Sequence, residues 1–118
     1  MGQVAGRDLE DRTEKFGLEV IRVCKTIPQD AISRPLISQI VRAATSVGAN
    51  YAEAQGASSK KDFANKIYIC RKEVQETRHW LKMLSGVSSD SAIKVLSGEC
   101  HELILIFQKI SSSLRLNT

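Results

Sequence analysis

The residue types able to do chemistry in this chain fall into three groups, and only one of them is concentrated. The three cysteines, Cys24, Cys70 and Cys100, are odd in number and form no C-x-x-C pair. Cys70 and Cys100 fall on apolar helical stripes and Cys24 lies beside another, so buried, reduced thiols are expected. The two histidines, His79 and His101, have no metal-ligand spacing; no metal or cofactor is expected. The second group is a polar row in one helical segment: Gln39, Arg42, Ser46, Asn50 and Glu53. It holds no nucleophile–base pair and no metal set, so it reads as a structural hydrogen-bond network between helices or subunits. No enzymatic activity is expected from these residues.

The third group is cationic. The formal net charge is +4, and it is unevenly spread. Residues 7–25 carry five basic and five acidic side chains, whereas residues 60–82 carry seven basic against three acidic, a sum of +4. At roughly 100° per residue, with Phe63 at zero, nine polar side chains fall within roughly 60–180°. They are Lys60, Lys61, Tyr68, Arg71, Lys72, Gln75, Arg78, His79 and Lys82. No acidic residue shares that arc; Asp62, Glu73 and Glu76 lie opposite, with Lys66. Cations in such a strip neutralise phosphates and release counterions, which gives salt-dependent, sequence-tolerant nucleic-acid binding. Tyr68 could stack on an unpaired base. The same charges are also what a merely solvated outer face carries. RNA, DNA and an acidic protein all remain open as partners.

The elements that must position these residues are helices. A chain of 118 residues, 42% hydrophobic and 25% charged, has the composition of one globular domain over residues 1–118. No apolar run approaches a bilayer-spanning length, and Met1 to Gly6 lack the apolar stretch of a signal peptide. The expected location is the cytoplasm, with no membrane partner. Four stripes at spacings of three and four predict helices over about 8–27, 34–54, 59–85 and 90–115. The first is Leu9, Thr13, Phe16, Val20, Val23 and Ile27, closed by Pro28. The second, with Ser33 as its N-cap and Pro35 just inside, is Leu36, Ile40, Ala43, Val47 and Tyr51. The third, capped at Ser59 with Asp62 in box position, runs Phe63, Ile67, Cys70, Val74, Thr77, Leu81 and Leu84. The fourth is Ile93, Leu96, Cys100, Leu103, Phe107, Ile110 and Leu114. Gly56 and Gly86 are expected in the left-handed conformation that often ends a helix. Period-two alternation is absent, so the fold class is all-α: an antiparallel, up-down-up-down four-helix bundle.

Apolar residues off the stripes suggest faces that meet another subunit: Leu18, Ile21, Ile69, Trp80, Met83, Leu105 and Ile106. A wide stripe at a helix flank would also account for Ile69 and Ile106. A homo-oligomer is expected.

The stretch from Ser38 through Glu53 (SQIVRAATSVGANYAE), followed by Ser59 to Phe63 (SKKDF), resembles the bacterial four helix bundle protein family. Asp8-Leu9-Glu10, Lys25 to Pro28, Glu73 and the run Glu76 to Leu81 are similar to it as well. The resemblance covers residues 8–85, with the fourth helix matching in pattern only. Many members have proline where Gly48 stands and glycine where Ala54 stands, which leaves the branch open. Members include proteins encoded in intervening sequences of 23S ribosomal RNA genes, and a related branch is the accessory protein of diversity-generating retroelements. The resemblance implies a homopentamer of antiparallel bundles with a basic surface and no catalytic residue. For the retroelement branch it implies binding to a reverse transcriptase and its template RNA. The function expected is a non-catalytic, oligomeric RNA-binding or ribonucleoprotein accessory module. The alternative is a protein–protein scaffold whose partner meets Trp80.

Overall fold

The computed structural model describes the backbone of residues 2–116 and the side chains of residues 8–115. Met1 and residues 117–118, at the ends of the expected domain, lie outside the described residues. Four helices follow one another: α1 (Gly2–Cys24), α2 (Ser33–Gln55), α3 (Lys60–Leu84) and α4 (Ser91–Leu116). Joined by short connections, helices of this length pack antiparallel: α1 on α2, α2 on α3, α3 on α4 and, over a shorter seam, α4 on α1. The up-down-up-down bundle measures 47 × 23 × 21 Å. Among the described residues there is no strand, and no helix is long and apolar enough to cross a membrane.

The helix ends differ from the sequence expectations for local reasons. α1 stops at Cys24, short of Pro28, and its last carbonyls are taken by tight bonds from Thr26 and Ile27 to Val23 and Cys24. Ser33 is not the N-cap of α2. Asp30 does that work, its Oδ1 accepting the N–H groups of Ile32 and Ser33 at 2.9 and 2.8 Å, while the Ser33 hydroxyl donates to the Pro28 carbonyl at 2.7 Å. Ser59 does cap α3: its Oγ accepts from Asp62 N–H at 3.0 Å, and the Asp62 carboxylate accepts from Ser58 N–H at 3.1 Å. Neither Gly56 nor Gly86 is left-handed. Their N–H groups bond back three residues, to Glu53 and Met83, so the helical turn simply continues and satisfies those carbonyls.

The stripes become the core. Phe16, Val20, Val23, Ile40, Val47, Ile67, Val74, Leu81, Leu103 and Phe107 are at most 2% exposed. Each such side chain contributes about 1.5–3 kcal/mol relative to exposure. Tyr51 of α2 and Phe107 of α4 meet edge-to-face across the centre, with ring centroids 6.0 Å apart. Ile104 is buried as well, although it is off the expected fourth stripe. All three thiols are buried and free. Cys70 Sγ donates to the Val47 carbonyl and Cys100 Sγ to the Val74 carbonyl. Desolvation pushes both thiols up to about 12 and raises Cys24 also. Where α1 crosses α2, Gly48 faces Thr13 and Gly17 faces Thr45. A Cβ at Gly48 would lie 3.4 Å from both the Thr13 carbonyl carbon and its Oγ1, so the two backbones approach closely there.

Candidate nucleic-acid interface

α3 lies between α2 and α4, and the pairing on its α2 side decides what its outer side presents. Arg42 of α2 reaches Glu73 at 3.4 Å and also bonds Glu76. Glu76 accepts in addition from the Trp80 indole N–H at 3.1 Å. One turn-pair further along, Lys66 of α3 bonds Glu53 of α2 at 2.8 Å, and that carboxylate raises the Lys66 pKa. Asp62 is engaged at the cap. Every acid of α3 is thus held at the α2 seam or at the helix start. The seam sums to −1, with Arg42 and Lys66 against Glu53, Glu73 and Glu76.

The six remaining cations of α3 are Lys60, Lys61, Arg71, Lys72, Arg78 and Lys82, a formal +6. None of them makes an ion pair among the described residues. All but the half-buried Arg71 are exposed, as are Gln75 and His79. Tyr68 is 55% exposed, and the Arg71 guanidinium sits over its ring, 5.8 Å from the centroid. That cation–π contact pre-positions a phenol that stays largely exposed. His79 stands edge-to-face with Trp80 at 4.8 Å.

The polar row of α2 is not one continuous network. Ser46 Oγ donates to the Arg42 carbonyl and Asn50 Nδ2 to the Ser46 carbonyl, so both serve their own helix. Gln39 accepts from Arg42 Nε at 3.3 Å. Only Arg42 and Glu53 reach across to α3. Arg42 holds Glu73 and Glu76 at the α2 seam and so clears the outer face of α3; in sequence the two were legible only as acids opposite the strip.

The apolar residues expected off the core divide. Leu18, Met83 and Leu105 are 65%, 38% and 50% exposed. Ile21 and Ile69 are half-buried. Trp80 and Ile106, by contrast, pack against the core, because the buried arcs of α3 and α4 are wider than their stripes. Ile32 and Val95, 68% and 72% exposed, join the apolar surface.

Comparison with known proteins adds two findings. The family model described as 23S rRNA-intervening sequence protein matches residues 8–109, which include the whole basic strip. The crystal structure of a protein with unknown function from the S23 ribosomal protein family of Bacteroides thetaiotaomicron VPI-5482 superposes with a TM-score of 0.81. It is 27% identical, and the match covers 91% of this chain and 97% of that one. No curated protein matches.

Proposed function

The chain belongs to the 23S rRNA-intervening sequence protein family, and from that premise we propose that it is a non-catalytic RNA-binding module gripping the sugar–phosphate backbone with the outer face of α3. The observation that carries this reading is the separation of charge: six cations on one face without a carboxylate partner among the described residues, and the acids of the same helix engaged elsewhere. From Lys60 to Lys82 the helix rises about 33 Å at about 1.5 Å per residue, enough to follow about ten stacked nucleotides of one strand. Tyr68 adds a stacking position beside the phosphates. The buried thiols, held in their neutral form by desolvation, support a role without nucleophilic chemistry.

Exposed Leu18, Met83 and Leu105 support self-association of the bundle as part of the same reading. A ring of copies, five by the family resemblance, would repeat the strip and multiply weak contacts through effective concentration. A reverse transcriptase carrying its template RNA is one partner of the kind this face fits, and the cytoplasm is the setting. A scaffold centred on Trp80 has less support, because the indole packs on the core and its N–H is already bonded to Glu76.

The test is charge reversal of Arg71, Arg78 and Lys82 to glutamate, read by anisotropy of a labelled single-stranded RNA across a salt series. Losing three phosphate contacts should flatten the log–log salt slope by about 2 and weaken binding about 100-fold at about 0.1 M salt. Reversing Lys15, Lys25 and Arg34, which lie elsewhere, should do far less. If the α3 variant keeps parental helicity and binds RNA as the parent does at low salt, the strip is only a solvated face.

A further inference from the structure

The basic surface does not end with α3. The C-terminal half of the strip opens into a cleft of about 600 Å³ between α3 and the start of α4, lined by Arg78, Lys82 and, from α4, Lys94. Lys94 is exposed and makes no ion pair among the described residues. The acids in the body of α4, Glu99 and Glu102, are held on the α1 side by Arg12. α4 is therefore sorted as α3 is, its carboxylates Glu99 and Glu102 drawn to one neighbour and Lys94 left facing the other. Net charge along the sequence hides this, because residues 90–115 carry three basic and three acidic side chains.

The lining suits a phosphodiester more than a planar carboxylate. Three cations against one acid, Asp90, leave +2, and one Asp90 oxygen is occupied by the Ala92 N–H at 2.9 Å. Asp90 also takes the Ile93 N–H on its carbonyl, so the start of α4 is already capped and the cations carry the site. The hydroxyls of Ser89 and Ser91 line the same cleft with no protein hydrogen bond among the described residues, ready to donate to a tetrahedral anion. Arg78 and Lys82 belong to both strip and cleft, so the two surfaces are continuous, as a polymer requires and a small anion does not.

We propose that this cleft seats a phosphodiester group of the bound RNA, so that the strand leaves the outer face of α3 and crosses onto α4 at Lys94. The seat rests on the RNA-binding reading of α3, but Lys94 lies outside that strip and can be tested apart from it. With the full chain and a labelled single-stranded RNA, Lys94→Ala should flatten the salt slope by about 0.7 and weaken binding about five-fold at about 0.1 M salt. Lys109→Ala, an exposed lysine further along α4, should leave both unchanged. The double variant Ser89→Ala/Ser91→Ala should weaken binding with the slope kept, since no charge is lost. If Lys94→Ala matches Lys109→Ala while the Arg71, Arg78 and Lys82 reversals abolish binding, the cleft is not a seat and the strip stands. If those reversals also leave binding intact, the RNA reading fails and the seat with it. If inorganic phosphate shifts the Ser89 and Ser91 amide resonances and RNA at equal phosphate concentration does not, the cleft is a small-anion site and the proposal is overturned.

Discussion

Replacing Arg12 with methionine tests how the two ends of the chain are clipped together. The Arg12 Nε and one Nη reach the two Glu99 oxygens at 2.7 and 2.8 Å, and the same Nη reaches Glu102 at 2.9 Å. The hydrogen bonds to Glu99, and after them the one to Glu102, raise the Arg12 pKa above its ordinary value. A buried, charge-assisted fork of this type is worth about 1.5–3 kcal/mol. Here the side chains of Arg12 and Glu99 retain 36% and 30% exposure, and Glu102 retains 65%. Solvent screening therefore leaves about 1 kcal/mol for Glu99 and a few tenths for Glu102. Methionine keeps an apolar stem at the seam, so the loss is chiefly the charge pair. At about 2.1 cal/mol/K of unfolding entropy per residue, a chain of 118 residues should lose about 5 °C in Tm. Thermal unfolding followed by circular dichroism would read this, with Glu99→Gln and Glu102→Gln completing two double-mutant cycles. Coupling should be larger to Glu99 than to Glu102, and both should shrink as salt rises. A variant within about 1 °C of the parent, or stronger coupling to Glu102, would refute the account of this seam.

Three further outcomes follow from the core. The native protein should resist thiol alkylation at neutral pH and label at Cys24, Cys70 and Cys100 only once unfolded. The folded thiols of Cys70 and Cys100 hold their protons to about 12. Their contribution to stability is therefore complete below the ordinary thiol range and lost as pH rises through it toward that value. Cys70→Ala should decline less steeply over that window, by about 1.4 kcal/mol per pH unit, in urea titrations; equal slopes would count against the buried thiol. At the α1–α2 crossing, Gly48→Leu should cost about 1–3 kcal/mol by overpacking against Thr13. Gly48→Ala should be near neutral, because better helix propensity of about 1 kcal/mol offsets a small shift; a leucine variant with the parental urea midpoint would show that the crossing is not tight.

The local part of the problem is legible in the order of residues alone. The period of the apolar residues depends only on helical geometry, so the stripes through Phe16, Ile40, Ile67 and Leu103 specify four amphipathic helices and the face each one buries. The concentration of positive charge on the third helix is legible in the same way, since a projection needs no neighbour. The helix ends were less so, because Asp30 at the start of α2 and the continued turns at Gly56 and Gly86 depend on backbone hydrogen bonds that compete within a residue or two.

Which charges remain free is settled when the helices pack. Arg42 meets Glu73 and Glu76 across 31 and 34 residues of chain, and Arg12 meets Glu99 across 87. Those pairings sort acids toward the seams and leave the six strip cations of α3 and Lys94 of α4 without an ion pair among the described residues. The same packing draws Trp80 onto the core while Leu18 stays outside it. Composition and periodicity are blind to this because an ion pair between helices depends on relative azimuth and axial register, which exist only once the bundle is assembled.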